Sequence, residues 1–260
     1  YVDGRFPTPN LKRLADAERD GDFIYGVIKG SAINHGGRGS GYSVPNPNAQ
    51  AEVIGEALRE ARLDPREITY LEAHGTGTAL GDPIEVAGLT KAYGCRPPGA
   101  PGCWLGSAKS NIGHCEAAAG IAGLTKVLLK MKHGEIVPSL HAEALNPNID
   151  FNATPFAVNR ELRPWPQAVV HGQPAPRTAG ISSFGAGGSN AHLIVREYDN
   201  LRGRQQPETS GPHLILLSAR DGDRLREKAG DLLSALQAQP GLRLRDVAHT
   251  LRVGRKAMEY

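Results

Sequence analysis

Two histidines in this 260-residue chain lie in similar sequence contexts that suit proton transfer or oxyanion binding. His74 stands in "EAHGTGTALGDP" (72–83), directly after an apolar run. His114 ends "SAKSNIGH" (107–114), directly before a long helical pattern, and Lys109 precedes it in the same segment. A neutral imidazole can donate a hydrogen bond to a developing oxyanion, or take and return a proton. The flanking glycines let backbone approach a bound substrate closely.

The spacing alone leaves the roles of both histidines open, because a single loop histidine is more often structural than catalytic. Zinc binding is the rival hypothesis for the pair. Positions 74 and 114 are far apart, and neither H-x-x-x-H nor a local cysteine pair accompanies them, so the ligand spacing of a zinc site is absent. We therefore expect no metal at these residues.

A glycine-rich segment, "SSFGAGGSNAH" (182–192), separates two strand-like runs near residues 177–198. It lacks the G-x-G-x-x-G order that opens a helix, and the apolar "HLIV" that overlaps its end is typical of a strand, so a nucleotide-binding loop is disfavoured. Two interpretations stay open. The amides of this turn face a substrate pocket with Phe184 as a wall, or the turn is a structural hairpin packed on Phe184.

Strand-like runs alternate with helical patterns along the chain, which favours an α/β fold. The predicted strands lie at 23–34, 68–74, the start of 103–114, two runs within 177–198, and 213–220. The predicted helices lie at 11–22, 48–65, 82–94 with Asp82 as N-cap, 116–134, 221–239 and from 242 onward. His74 and His114 each follow a strand. Ligands bind at the carboxyl ends of strands in open α/β sheets, so the two histidines are expected to converge there.

Composition excludes several functional classes. The net charge is only +3, from 30 basic and 27 acidic residues, which disfavours nucleic acid as a partner. No apolar run reaches the length of a membrane span, and no signal peptide is recognisable, so no membrane role is expected. The three cysteines, Cys95, Cys103 and Cys115, show no C-x-x-C spacing, which indicates reduced thiols and a cytoplasmic location.

Three long motifs, in this order, resemble the C-terminal part of the β-ketoacyl synthase (ketosynthase) domain of modular polyketide synthases. They are "EAHGTGTALGDPIEV", "GSAKSNIGHCEAAAGIAGLTK" and "GISSFGAGGSNAHLIV". The stretch from Tyr25 to Gln50 looks most like assembly lines whose acyltransferase is a separate protein, the trans-acyltransferase type. The resemblance implies a thiolase-like layered α/β fold over 1–198, a linker at 199–212, and the start of a small flanking α/β linker subdomain at 213–260.

The resemblance also implies decarboxylative Claisen condensation of an acyl thioester with a malonyl group carried on acyl carrier protein. His74 and His114 match the two histidines of the family site, and Lys109 matches a lysine that orients it. No cofactor is bound directly, because the phosphopantetheine arm arrives on the carrier protein. The residues assigned to the substrate pocket are Thr76, Thr78, Asn111, Phe184, Gly185, Gly187 and Gly188.

The nucleophilic cysteine of the family lies in a segment that these 260 residues do not contain. Two hypotheses follow. In the first, an N-terminal ketosynthase portion supplies the cysteine, and the complete domain is a homodimer. In the second, the chain is a non-catalytic structural or docking fragment of a polyketide synthase assembly line.

Overall fold

The computed structural model describes residues 10–37, 44–94, 102–200 and 212–260. These residues form two compact units, the first ending at residue 202 and the second beginning at 203. Most of the predicted linker at 199–212 lies outside the described residues, so its boundaries stay a prediction. Within the described ranges, no helix has both the length and the apolar composition needed to cross a bilayer.

The first unit alternates helices with strands, as the sequence predicted. In chain order its elements are α1 (Leu14–Asp20), β1 (Val27–His35), α2 (Pro47–Ala61), β2 (Ile68–Glu72), α3 (Gly81–Tyr93), β3 (Cys103–Gly106), α4 (Lys109–Ile112), α5 (Ala119–His133), β4 (Glu135–Ile136), β5 (Phe156–Val158), β6 (Arg163–Pro164), β7 (Ala168–Val170), β8 (Gln173–Ala175), β9 (Thr178–Phe184) and β10 (Ser189–Arg196). Short 3₁₀ turns at Pro65–Glu67, Glu116–Ala118 and Phe151–Ala153 join some of them.

One six-stranded mixed sheet organises this unit, in the order β1-β10-β9-β2-β3-β5. The central strand β2 pairs in parallel with both β9 and β3, and β3 pairs in parallel with β5. The strands β10 and β1 complete the sheet by antiparallel pairing. The carboxyl ends of β2, β3 and β9 therefore lie at one edge of the sheet.

Helices cover both faces of the sheet. Leu71 packs among apolar side chains of α2 and α3, whereas the neighbouring Tyr70 packs among those of α5. Successive strand residues point to opposite faces, so α2 and α3 lie on one side and α5 lies on the other. This layered α/β arrangement agrees with the predicted fold class.

Gly120 and Gly123 inside α5 predict close packing against another backbone, because glycine is costly within a helix. A Cβ atom on Gly123 would lie 3.1 Å from Cγ of Glu72 and 3.7 Å from Cγ2 of Ile181. The close approach is therefore real, but the neighbours are side chains of β2 and β9 rather than backbone. It brings α5 directly against the buried carboxylate of Glu72.

The predicted N-cap of α3 is wrong. The helix begins at Gly81, and its N-cap residue, Leu80, makes no side-chain capping bond. The carboxylate of Asp82 instead accepts a hydrogen bond from the amide of Gly77 at 3.1 Å. A carboxylate near a helix start can accept hydrogen bonds from helix amides or from amides of the preceding loop. Here it accepts one from the loop between β2 and α3.

The second unit contains α6 (Gly222–Ala238) and α7 (Leu244–Val253), and its described residues form no strand. The predicted strand at 213–220 is therefore wrong. Among the described residues, this segment makes one reciprocal backbone pair, between Ala219 and Tyr260, and a strand needs a ladder of such pairs. Ala219 is also the only buried residue among those described in this unit.

Gly180 of β9 provides a test of the packing between sheet and helices. A Cβ atom there would lie 2.5 Å from the Tyr93 hydroxyl oxygen and 2.6 Å from Cδ2 of Leu71. We expect Gly180→Ala to lower the free energy of unfolding by about 1–3 kcal/mol, as overpacking does. The measurement is urea denaturation followed by circular dichroism.

Gly55→Ala is the matched control. The Cβ atom there would meet only the end of the Arg59 side chain, at an ordinary 3.5 Å. Because Gly55 lies inside α2, alanine should stabilise the protein by up to about 1 kcal/mol. Equal effects of the two substitutions would contradict the packing described here.

Candidate active site

The carboxyl edge of the sheet brings the two histidines together. β2 ends two residues before His74, β9 ends at Phe184, and the segment after β3 carries His114. The imidazole centroid of His74 lies 5.7 Å from that of His114, with the rings nearly perpendicular at 81°. It also lies 5.7 Å from the Phe184 ring centroid. The convergence predicted from strand position is therefore observed.

Backbone amides orient both imidazoles in the same way. The amide of Phe184 donates to Nδ1 of His74 at 3.2 Å, and the amide of Glu116 donates to Nδ1 of His114 at 2.9 Å. A nitrogen that accepts a hydrogen bond carries no proton, so each neutral ring has its proton on Nε2. The site thus offers two Nε2–H donors.

His74 is neutral over a wide pH range. Burial of the ring lowers its pKa to about 4, and the electrostatic interactions with Lys109 and His114 act in the same direction. A neutral ring is the form that donates through Nε2 while accepting at Nδ1. His74 therefore keeps this form throughout the physiological pH range.

A buried carboxylate, Glu85 of α3, fixes the backbone at His74. Its two oxygens accept the amides of His74 at 2.8 Å and of Gly75 at 2.9 Å. Burial raises the pKa of Glu85 to about 7, although both amide bonds favour the ionised form. Sequence reasoning missed Glu85, whose only signal was a charged residue beside Val86 on an otherwise apolar helix face.

Lys109 begins α4 and is half-buried. Burial lowers the pKa of its ammonium group, while the negative charges of Glu85 and Glu72 act against this shift. The charge of Lys109 in turn lowers the pKa of His74. Lys109 therefore lies within electrostatic reach of the His74 imidazole.

An open cleft of about 1250 Å³ contains both histidines. Neither Asn111 nor Lys109, both on α4, lies on the cleft wall. Six of the seven residues predicted for the substrate pocket do line it, namely Thr76, Thr78, Phe184, Gly185, Gly187 and Gly188.

The glycine-rich segment is both a hairpin turn and part of the cleft wall. The amide of Gly185 donates to the carbonyl of Ser189 at 2.7 Å, which closes the turn between β9 and β10. Gly187 and Gly188 have φ angles of 90° and 98°, a region that favours glycine. The segment is therefore a hairpin turn that lines the cleft, and contact of its amides with a substrate stays a prediction.

Comparison with known proteins identifies the family of this chain. Residues 25–143 match the C-terminal domain of β-ketoacyl synthases, and residues 146–260 match the ketoacyl-synthetase C-terminal extension. The chain belongs to the β-ketoacyl synthase family. It carries the C-terminal part of a ketosynthase domain and that extension, as the three sequence motifs predicted.

Curated relatives of this ketosynthase chain are polyketide synthases. It is 58% identical over 251 residues to polyketide synthase PksM of Bacillus subtilis, covering 96% of this chain and 6% of that protein. It is 53% identical over 261 residues to ThaG of Burkholderia thailandensis, covering 96% of this chain and 4% of that protein. The match thus covers a small part of these large proteins.

Solved ketosynthases share the fold. The oxazolomycin ketosynthase domain OzmH KS7 of Streptomyces albus is 49% identical with a TM-score of 0.81, covering 95% of this chain and 43% of that one. The module 6 ketosynthase of the Bacillus subtilis bacillaene synthase is 38% identical with a TM-score of 0.78. This match covers 96% of this chain and 42% of that one. These likenesses confirm the thiolase-like α/β fold, and the chain spans less than half of each domain.

The tautomer of His74 can be measured directly by nitrogen NMR of its imidazole. We expect the Nε2–H form at pH 7, and protonation only below about pH 5, because burial lowers the pKa to about 4. Imidazole nitrogen shifts recorded from pH 4 to 8, assigned with His74→Gln, give both answers. A cationic ring at pH 6, or a proton on Nδ1, would contradict the arrangement.

Glu85 should make stability depend on pH. Its pKa is raised from 4.5 to about 7 on folding, so its contribution is fully present below about pH 4.5. That contribution is lost as the pH rises towards and through 7. We expect the urea midpoint to fall more steeply from pH 5 to 7.5 in the wild type than in Glu85→Gln. Parallel pH profiles of the two proteins would refute this assignment.

Proposed function

We propose that this chain supplies the decarboxylation and oxyanion-binding half of a condensing site that elongates polyketides. The observation that carries the proposal is the pair of imidazoles at the sheet edge, each held with an Nε2–H donor in an open cleft. Membership of the ketosynthase family supports the same reaction class. The substrates are an acyl thioester and a malonyl group on acyl carrier protein.

The two donors suit the charge that decarboxylation creates. Cleavage of the bond between the malonyl carboxylate carbon and the α-carbon releases carbon dioxide and leaves the electron pair as a thioester enolate. Hydrogen bonds from neutral imidazoles to the enolate oxygen stabilise that charge where it develops. The α-carbon then attacks the acyl thioester carbonyl, a carbon–carbon bond forms, and the thiolate leaves.

The acyl acceptor in this proposal is a cysteine of an N-terminal ketosynthase portion outside this chain. Cys103 is buried in β3 at 1% exposure, where an acyl chain has no access. Cys115 follows His114, and Cys95 lies outside the described residues. The proposal also includes a homodimeric complete domain of the trans-acyltransferase type. No cofactor is bound directly, and the carrier protein delivers the phosphopantetheine arm.

The test uses this chain joined to the N-terminal portion of OzmH KS7 that the alignment leaves unmatched. We expect His74→Ala and His114→Ala each to slow decarboxylation of malonyl-carrier protein by about 100-fold to 1000-fold, the usual cost of losing one oxyanion donor. Carbon dioxide release from labelled malonyl-carrier protein measures the rate.

His249→Ala is the matched control, because this exposed histidine lies on α7 in the second unit. It should leave the rate unchanged. Equal rates in the wild type and both site variants would overturn the catalytic proposal. That result would favour the alternative in which the chain is a non-catalytic docking fragment.

A further inference from the structure

A second buried carboxylate, Glu72, lies at the end of β2 and has no part in the steps above. It is 2% exposed. The Tyr70 hydroxyl donates to its Oε2 at 2.6 Å, and the backbone amide of Ala108 donates to its Oε1. Its contacts therefore join β2 to the residue that precedes Lys109.

The bond from Ala108 matters because α4 is short, and it adds to the bond that the Lys109 amide donates to Ser107 Oγ at 3.3 Å. The helix has only four residues, and its N-cap residue Ala108 provides no side-chain cap. Glu72 reaches this amide from a different element, 36 residues away in the chain. The start of α4, and with it the base of the Lys109 side chain, is thus tied to the same strand that ends just before His74.

Two lysines of α5, Lys126 and Lys130, interact electrostatically with the Glu72 carboxylate. The ammonium of Lys126 lies 3.4 Å from Oε2 of Glu72. The ammonium of Lys130 lies 3.7 Å from the Tyr70 ring centroid and has no hydrogen-bond partner among the described residues. Burying a carboxylate is costly unless it is paired and hydrogen-bonded. These contacts, with the space that Gly123 leaves, meet that requirement.

We propose that Glu72 is a positioning residue of the condensing site, which fixes the start of α4 and so holds Lys109 beside the two histidines. Its effect on catalysis rests on the proposed function. Its effect on Lys109 does not, because that effect depends only on contacts within this chain.

The titratable groups that interact electrostatically with Lys109 come from several elements. Glu72 lies on β2, Glu85 on α3, His74 between them, and Cys115 after α4. The negative charge of Glu72 favours the ammonium form of Lys109. Removing that charge should lower the pKa of Lys109.

The first experiment measures Lys109 in the 260-residue chain by NMR, with carbon-labelled lysine and Lys109→Arg for assignment. We expect Glu72→Gln to shift its titration to lower pH, because the negative charge that favours the ammonium form is lost. Glu72→Ala should speed hydrogen exchange of the Ala108 amide by about 10-fold or more. Unchanged titration and exchange would overturn the inference, whatever the activity of the chain.

Glu197→Gln and Glu197→Ala are the matched controls. The carboxylate of Glu197 also accepts one backbone amide, from Arg177 at 2.7 Å, and pairs with one cation, the guanidinium of the same residue. Neither control should move the titration of Lys109. Circular dichroism checks folding, and Glu72→Gln decides the result if Glu72→Ala fails to fold.

The second experiment measures malonyl decarboxylation in the joined domain described above. We expect Glu72→Ala to lower kcat by about 10-fold to 100-fold, the scale of a small misplacement in the site, with KM changed less than about twofold. Glu72→Gln should retain more activity, because its amide oxygen still accepts the Ala108 amide. Equal losses in Glu72→Ala and Glu197→Ala would show a merely structural role. An inactive wild-type domain would count against the proposed function, and the NMR result would still decide the role of Glu72.

Discussion

The parallel pairing of β2 with both β3 and β9 is the constraint on which the rest of this structure depends. Parallel ladders align the ends of neighbouring strands, so three chain segments that are distant in sequence leave the sheet at one edge. His74, the segment with Lys109 and His114, and the Phe184 turn are those segments. Helices on both faces keep the sheet buried. Shifting one strand relative to its neighbours would therefore expose buried apolar side chains.

Two buried carboxylates convert this coarse convergence into a defined site. Glu85 accepts the amides of His74 and Gly75, and Glu72 accepts the amide of Ala108. Three of the four oxygens accept a backbone amide, and the fourth, Oε2 of Glu72, accepts the Tyr70 hydroxyl. The free-energy cost of burying two acidic groups is offset locally by these bonds. Charge in the interior therefore orders the loops that carry the reactive groups.

The sequence predicted the α/β alternation, the elements around His74 and His114, and the convergence of these two histidines. These features follow from local hydrophobic periodicity and from glycines that mark turns. It did not predict Glu85 or Glu72, because their partners are backbone amides that only the fold brings near. Asp82 was misassigned because one carboxylate can serve either a helix start or a loop. The strand predicted at 213–220 failed because local apolar pattern cannot supply a pairing partner.

Backbone amides donate the hydrogen bonds to Nδ1 of both histidines, so the orientation of the imidazoles does not depend on the side chains that line the cleft. The amides of Phe184 and Glu116 orient the imidazoles, so the side chains at these positions are not needed for that task. Every residue except proline offers the same amide. The aromatic ring at 184 lines the cleft, and a different side chain there would leave in place the amide that donates to His74. A single replacement at 184 would therefore reshape the cleft wall and keep the bond that orients the His74 imidazole.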